Sequence, residues 1–164
     1  MRLLGSAGMP WICAMTKPNS EAIAAQNLMR QGYEPYYPRC LQANKKHPSQ
    51  PPSIVPLFPR YIFILVFGTW YPIRSTRGIT RPLMGEDGPQ IIPTIEIEAL
   101  RKREDKKGLI KLPLPSEFTS GDKVKAASGP FAGQLMVYEG MTARERCRVL
   151  ADWLGQKVHV ELDE

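Results

Sequence analysis

The order of apolar and polar positions predicts a strand followed by a helix at the start of the chain. Residues 11–16 form a short apolar run, and the polar, proline-containing residues 17–20 interrupt it. Asn19 or Ser20 is expected to cap a helix, because short polar side chains accept hydrogen bonds from the first free amides. The apolar stripe of this helix comprises Ala22, Ala25, Leu28 and Met29. Gly32 ends it.

The most apolar segment of the chain predicts a central strand. Residues 60–67 read Arg-Tyr-Ile-Phe-Ile-Leu-Val-Phe, and aromatic and β-branched residues favour buried strands. Residues 33–39 are aromatic and interrupted by prolines, which is typical of an edge strand. The polar, proline-rich residues 43–56 are expected to form a mobile loop. The first core should therefore form around residues 60–67.

Shorter elements are expected between this strand and residue 111. The pattern indicates a short helix over residues 70–76, a strand over 79–84 and a turn over 85–88. A second helix should begin near Pro93 and end in the charge cluster of residues 101–107. Because helices and strands mix without strict alternation, the fold class predicted for this part is α+β.

A proline-containing connector indicates a boundary between two domains. Leu-Pro-Leu-Pro-Ser begins at residue 112, and each proline restricts itself and the residue before it. We therefore predict domains at residues 9–111 and 118–164, joined by a linker at 112–117. Glycine and proline turn signals in the second domain separate short runs at 123–126, 134–138, 147–151 and 157–162. Such spacing predicts a small β-barrel.

One segment of the second domain carries a competing pattern. Thr142 and Glu145 have the spacing of a capping box, which favours the start of a helix. The apolar stripe that follows, with helical spacing, comprises Cys147, Leu150, Ala151 and Leu154. A helix and a strand are both compatible with this segment.

The charge of the chain is unevenly distributed. The net charge is +6, and the sequence pI is about 9.3. Residues 1–116 hold 16 Lys and Arg against 8 Asp and Glu, whereas residues 117–164 hold 6 against 8. The basic excess suits a surface near phosphates, and a merely solubilising surface fits it equally well.

Composition and segment lengths limit the classes of protein that remain. With 43% hydrophobic and 23% charged residues, most of the chain should fold as a globular protein. Pro10 interrupts the apolar start and Lys17 closes it, so we expect no secretory signal. No apolar run approaches the roughly 20 residues that cross a bilayer. We therefore expect a cytoplasmic protein with no role at a membrane.

The motifs of metal sites and of common enzymes are missing from the sequence. Cys13, Cys40 and Cys147 form no C-x-x-C pair, and His47 and His159 are the only histidines that could join them. Free thiols are the simplest interpretation, although a Cys–His pair formed in the fold remains an alternative. We expect no metal, no cofactor and no enzymatic activity.

Two groups of motifs resemble those of the NusG/RfaH family of transcription elongation and antitermination factors. The first group resembles the amino-terminal NGN domain and comprises Trp11 with Lys17-Pro18 and Glu21, Pro-Leu-Phe-Pro-Arg-Tyr-Ile-Phe at 56–63, and Ile-Arg-Ser-Thr-Arg-Gly at 73–78. The second resembles a KOW motif and comprises Phe118, Gly-Asp-Lys-Val at 121–124, Gly-Pro-Phe-Ala-Gly at 129–133, and Val-His-Val-Glu-Leu at 158–162. Two motifs in the family's order make coincidence improbable.

The resemblance implies a binding surface for RNA polymerase on the NGN domain. This domain would be an antiparallel sheet with flanking helices, and it would bind the clamp helices of the β′ subunit through Met15, Tyr61 and Phe63. Tyr61 and Phe63 lie two residues apart on one strand and should share a face. The alternative is that both rings are core aromatics.

The same resemblance implies contact with the non-template DNA strand. Lys17, Arg74, Thr76 and Arg77 match positions near that strand, where cations and hydroxyls contact phosphates or bases. Plain solvated side chains are the alternative. Trp-Tyr-Pro at 70–72 stands where the RfaH branch has a hydroxyl-rich contact to the polymerase gate loop.

The second domain resembles an SH3-like KOW barrel that recruits a partner. The partner would be the NusE-type ribosomal protein or the termination factor Rho, and the candidate contacts are Phe131, Trp153 and Leu154, with barrel core as the alternative. Leu-Gly-Gln at 154–156 replaces the Phe-Gly-Arg type of general family members. Together with Leu-Phe-Pro-Arg-Tyr at 57–61, this departure favours a specialised antitermination paralogue. We expect the protein to be a monomer.

Three further hypotheses stay open at the level of sequence. The carboxy-terminal domain could switch to helices that mask Tyr61 and Phe63, as the RfaH branch does. The chain could be a general NusG-like factor that also promotes Rho-dependent termination. It could also be a KOW-type ribosomal or RNA-binding protein.

Overall fold

The computed structural model of the chain describes residues 9–44, 46–112 and 141–154. Its elements are, in chain order, β1 (Trp11–Thr16), α1 (Glu21–Arg30), β2 (Glu34–Tyr36), β3 (Arg39–Gln42), β4 (Ser53–Pro56), β5 (Tyr61–Leu65), a 3-10 helix (Tyr71–Ser75), β6 (Ile79–Pro82), β7 (Met84–Gly85), β8 (Gly88–Pro89), β9 (Ile91–Ile92), α2 (Thr94–Lys102), β10 (Leu109–Ile110) and α3 (Ala143–Trp153). Mixed helices and antiparallel strands confirm the α+β class for this part of the chain.

The main sheet is antiparallel and has β5 and β1 at its centre. The strand order is β2-β5-β1-β6, and β9 also pairs with β1. The predicted central strand is therefore confirmed. The predicted edge strand over residues 33–39 is confirmed for Glu34–Tyr36, whereas Arg39 already belongs to β3.

A second sheet corrects part of the predicted loop. β3 pairs with β4 in antiparallel fashion and with β10 in parallel. The loop predicted for residues 43–56 is therefore wrong over Ser53–Pro56. The physical reason is that Val55 lies opposite the buried Cys40 and packs against the main apolar cluster, which stabilises the pairing.

α1 covers one face of the main sheet. Its buried residues are Glu21, Ala24, Ala25 and Leu28, so the predicted stripe is wrong at Ala22 and Met29, which are exposed. The helix is rotated so that Ala24 and Leu28 meet Ile12, Ile62 and Ile64 of the sheet. Ser20 precedes the helix but forms no side-chain cap bond.

The elements between β5 and β10 follow the sequence pattern closely. A 3-10 helix forms where a short helix was predicted, and Gly85 pairs with Gly88 across the predicted turn. α2 begins at Thr94 after Pro93 and packs on the other face of the main sheet through Ile97 and Leu100.

The most informative element is α3, because its sequence allowed both a strand and a helix. Residues 147–151 lie inside a helix and do not form the strand of the barrel that was the other expectation. The capping box explains the start: the Glu145 amide donates to the Thr142 hydroxyl at 3.2 Å, and the Thr142 amide donates to the Glu145 carboxylate at 2.6 Å. The helix then buries its apolar stripe in the cluster that also contains residues of the main sheet and α2.

The remaining predictions for the second domain lie outside the described residues. These are the strands at 123–126, 134–138 and 157–162, and, apart from Leu112, the linker at 112–117. No helix in the described segments is long and apolar enough to cross a membrane.

Candidate functional site

The candidate polymerase-binding residues lie together on one face of the main sheet. Met15 of β1 is directly opposite Tyr61 of β5, and Cys13 is opposite Phe63. Ile62 and Ile64 belong to the cluster on the opposite face. The prediction that Tyr61 and Phe63 share a face, next to Met15, is therefore confirmed. We call Met15, Tyr61 and Phe63 the strand face.

The strand face is covered in this structure. Tyr61 is 3% exposed, Phe63 is 1% exposed and Met15 is partly buried. Cys147, Leu150 and Leu154 of α3 and its end belong to the same apolar cluster, and α2 contributes Ile97 and Leu100. Burial raises the pKa of the Tyr61 hydroxyl to about 12. Such burial is expected both of core residues and of a binding surface that another part of the chain covers.

Trp153 closes the edge of this contact. A small cavity between α2 and α3 is lined by Phe63, Ile97, Leu100 and Trp153, among others. The cavity has a volume of about 10 Å³, roughly the space of one water. α3 therefore packs tightly against Phe63 and α2.

Arg146 anchors α3 through polar contacts beside the strand face. It is 2% exposed, and its Nε donates to the carbonyl of Leu57 at 2.7 Å. Its terminal nitrogens donate to the carbonyl of Met141 at 2.9 Å and to the Gln42 side chain at 3.4 Å. These three acceptors are neutral, so they hold the buried cation by hydrogen bonds rather than by ion pairs. This arrangement fixes the helix against the segment that precedes β5.

The turn before β5 sets the position of Tyr61. Arg60 has a φ of +71°, and its amide donates to the Glu21 carboxylate at 2.7 Å. The Thr16 amide in turn donates to the Arg60 carbonyl at 2.8 Å. Glu21 is buried, and this contact ties the start of α1 to the turn before β5. A left-handed residue here ends the turn and directs the chain into the strand.

The candidate DNA-binding residues surround the loop between the 3-10 helix and β6. The Lys17 amide donates to the Gly78 carbonyl at 2.8 Å, which brings Lys17 next to Arg77. Arg74 and Arg77 are exposed, and neither forms an ion pair within residues 9–44, 46–112 or 141–154. We call Lys17, Arg74 and Arg77 the basic edge.

Thr76 differs from its charged neighbours because it is buried. Its hydroxyl donates to the Pro72 carbonyl at 3.1 Å and lies 3.0 Å from the Gln31 amide nitrogen. The side chain therefore links the 3-10 helix to the end of α1. In this conformation it supports the basic edge from below and is not exposed on it.

The comparison with known families identifies this fold. A sequence profile described as transcription termination factor nusG matches residues 9–101, more than half of the chain. The chain belongs to the NusG family. It is also similar to the transcription termination/antitermination protein NusG of three strains of Staphylococcus aureus, each with 27% identity over 146 residues. That similarity spans 86% of this chain and 80% of each relative.

The candidate partner-binding residues of this NusG-family chain are only partly described. Leu154 is buried in the cluster under α3, and Trp153 is partly buried against it. Both therefore face the first domain here. Phe131 lies outside the described residues.

The thiols of this NusG-family chain are free and buried. Desolvation raises the pKa of Cys13 and Cys40, and it raises the pKa of Cys147 to about 12. Such thiols stay protonated at neutral pH and react slowly. No cluster of potential metal ligands occurs among the residues that the structure describes.

Sequence reasoning missed two contributors to the site. Arg146 carried no motif, and only its place just before a helical apolar stripe pointed to the interface. Glu21 was named only as part of the first group of motifs, while its bond to the Arg60 amide depends on a contact 39 residues away. The capping box and the apolar stripe after it were the local signals that pointed to α3.

Proposed function

We propose that this protein is a transcription elongation and antitermination factor that binds the clamp helices of the RNA polymerase β′ subunit through the strand face. The observation that carries the proposal is the NusG profile match over residues 9–101, which includes Met15, Tyr61 and Phe63. Their shared face on two central, paired strands supports it, because such strands hold side chains rigidly.

The proposed mechanism needs no covalent step. A factor that binds the closed polymerase clamp more tightly than the open one shifts the clamp equilibrium by its differential binding energy. A closed clamp would suppress pausing and help the polymerase to pass terminators. The basic edge would contact the phosphates of the displaced non-template strand, with Thr76 positioning the loop. No catalytic group is required of the chain.

The second domain would recruit a partner through Phe131, Trp153 and Leu154. A NusE-type ribosomal protein fits its acidic balance better than RNA does. The alternative, a general factor that also binds Rho, is disfavoured by Leu-Gly-Gln at 154–156. Trp153 and Leu154 would reach a partner only after α3 leaves the strand face.

We further propose that α3 controls access to the strand face. Its apolar stripe covers Tyr61 and Phe63, and Arg146 adds hydrogen bonds to it. A polymerase that binds Tyr61 would therefore compete with α3 for the same surface. The full chain would bind the polymerase weakly until α3 is displaced. Its apparent affinity would be the affinity of the open form multiplied by the fraction of molecules in which the strand face is open.

Binding of a β′ clamp-helix fragment tests both proposals. Leu150→Asp places a charge in the apolar contact of α3, so we expect it to bind the fragment at least tenfold more tightly than the wild type. Adding Tyr61→Ala and Phe63→Ala to that variant should abolish the gain. Isothermal titration calorimetry measures the affinities, and circular dichroism verifies that each variant is folded.

The controls separate docking from stability. Ile95→Asp changes an exposed residue of α2 and should bind like the wild type. If the variant with Leu150→Asp, Tyr61→Ala and Phe63→Ala binds the fragment as tightly as Leu150→Asp alone, the strand face is not the binding surface. In vitro transcription through intrinsic and Rho-dependent terminators then separates the antitermination role from the general NusG-like alternative.

A further inference from the structure

A stacked pair of aromatic rings lies at the surface between β5 and β6. The centroids of Trp70 and Tyr71 are 4.4 Å apart, and their planes are inclined by 20°. Trp70 packs against the apolar cluster of the face under α1, whereas Tyr71 is 62% exposed. Trp70 thus supports one side of the tyrosine ring, and most of that ring remains open to solvent. Neither ring belongs to the strand face.

The pair is held in place by its surroundings. The Tyr33 hydroxyl donates to the Thr69 carbonyl at 2.7 Å, and the Tyr71 amide donates to the Thr69 hydroxyl at 3.4 Å. The buried Ile73 fixes the 3-10 helix from below. An exposed ring on a fixed backbone loses little conformational freedom when another ring stacks on it.

Cationic side chains lie next to the open tyrosine ring. A 3-10 helix has three residues per turn, so Tyr71 and Arg74 lie on the same side of it. Arg77 follows at the basic edge. Residues 68–85 contain three arginines and no acidic residue. An open aromatic ring beside exposed guanidinium groups is the combination that binds single-stranded nucleic acid.

Trp70 also borders an acidic cleft. This cleft of about 390 Å³ is also lined by Glu86 and Asp87 of the turn between β7 and β8. These carboxylates repel phosphates. Phosphates are therefore disfavoured in this cleft, whose lining includes neither Arg74 nor Arg77.

We propose that Tyr71, supported by Trp70, stacks on one unpaired base of single-stranded DNA while Arg74 binds an adjacent phosphate. The proposal rests on the proposed function, to which it adds a base contact beside the phosphate contacts of the basic edge. Duplex DNA does not fit, because the faces of its bases are already stacked on each other. The contact is tolerant of sequence, since every base has a stacking face.

A pair of oligonucleotides tests this contact with the full chain. One is a fluorescently labelled oligothymidylate of about ten nucleotides, and the other is an abasic chain with the same phosphates. We expect the wild type to prefer the first about fivefold or more, as measured by fluorescence anisotropy at low salt. Tyr71→Ala should remove the preference, and Tyr71→Phe should keep it. Ile95→Ala, an exposed apolar control on α2, should change nothing.

Each other outcome has a distinct meaning. Arg74→Gln should weaken binding of both oligonucleotides equally and reduce its dependence on salt. If Arg74→Gln does so while Tyr71→Ala keeps the preference for bases, the stacking contact is overturned and the proposed basic edge stands. If neither oligonucleotide binds, both fail. If Tyr71→Ala weakens binding to RNA polymerase alone, the ring contacts protein, and the DNA proposal is wrong.

Discussion

At the scale of single residues, Gly78 determines how the basic edge is assembled. It has a φ of +93°, and a Cβ atom at this position would lie 2.8 Å from the Ala24 nitrogen of α1. Its carbonyl accepts from the Lys17 amide. A residue without a side chain therefore lets the loop that carries Arg77 lie directly on α1 and next to Lys17.

Replacing Gly78 should damage both stability and DNA binding. Gly78→Ala forces a left-handed backbone on alanine and places its methyl group against backbone atoms, so we expect a loss of at least about 2 kcal/mol in the free energy of unfolding. Urea denaturation measures the loss. Gly68→Ala is the matched control, because its φ is +85° but a Cβ there would meet nothing within 4 Å. Equal losses in the two variants would contradict the role of close contact with α1.

At the scale of elements, α3 decides whether the strand face is accessible. Its residues carry signals for both strand and helix, and the capping box together with the apolar stripe favours the helix. The cluster that includes Tyr61, Leu150 and Leu154 gives this helix a surface to bury. Because isolated helices of this length are marginal in water, tertiary packing supplies most of its stability.

Weakening the cap of α3 should open the strand face. Thr142→Ala removes the hydroxyl that accepts from the Glu145 amide, at a cost of about 1 kcal/mol to the helix. If docking of α3 requires the helix, affinity for the clamp-helix fragment should rise about fivefold. Titration calorimetry measures the affinity, and circular dichroism measures the helix content. Thr80→Ala, at an exposed position of β6, is the control; a variant with less helix but unchanged affinity would sink the proposed competition.

At the scale of the whole molecule, the two parts of the chain share one apolar cluster. Cys13 and Tyr61 from the main sheet lie in it with Cys147 from α3. Burial raises the pKa of each of these groups above its ordinary value. In the unfolded chain they would ionise at their usual pKa, while in the folded chain they stay neutral.

Stability should therefore fall in alkaline solution. A raised pKa contributes stability that is complete below the unfolded value, near 9 for a thiol, and is lost as pH rises towards the folded value of about 12 for Cys147 and Tyr61. Each such group contributes a slope of up to about 1.4 kcal/mol per pH unit. Urea unfolding at pH 8, 9, 10 and 11 measures the slope, and Cys147→Ala should make it shallower. A free energy of unfolding that is constant over this range would contradict the burial of these groups.

The sequence by itself determined the central strand of the main sheet and which of its side chains share a face. Alternation along residues 60–67 placed Tyr61 and Phe63 on one face and Ile62 and Ile64 on the other, because the side-chain period of a strand is a local property. The motifs also pointed to the family that the profile match then identified.

Only the tertiary structure decided what covers that face. The local preferences of residues 147–151 allow both a helix and a strand. The helix forms because its apolar stripe packs against Tyr61 and Phe63, which are far away in sequence. The bond from Arg146 to the Leu57 carbonyl spans 89 residues, and no pattern within a short window contains such a contact. The burial of Thr76 and the pairing of Ser53–Pro56 were decided in the same way, since each depends on a partner that only the folded chain brings near.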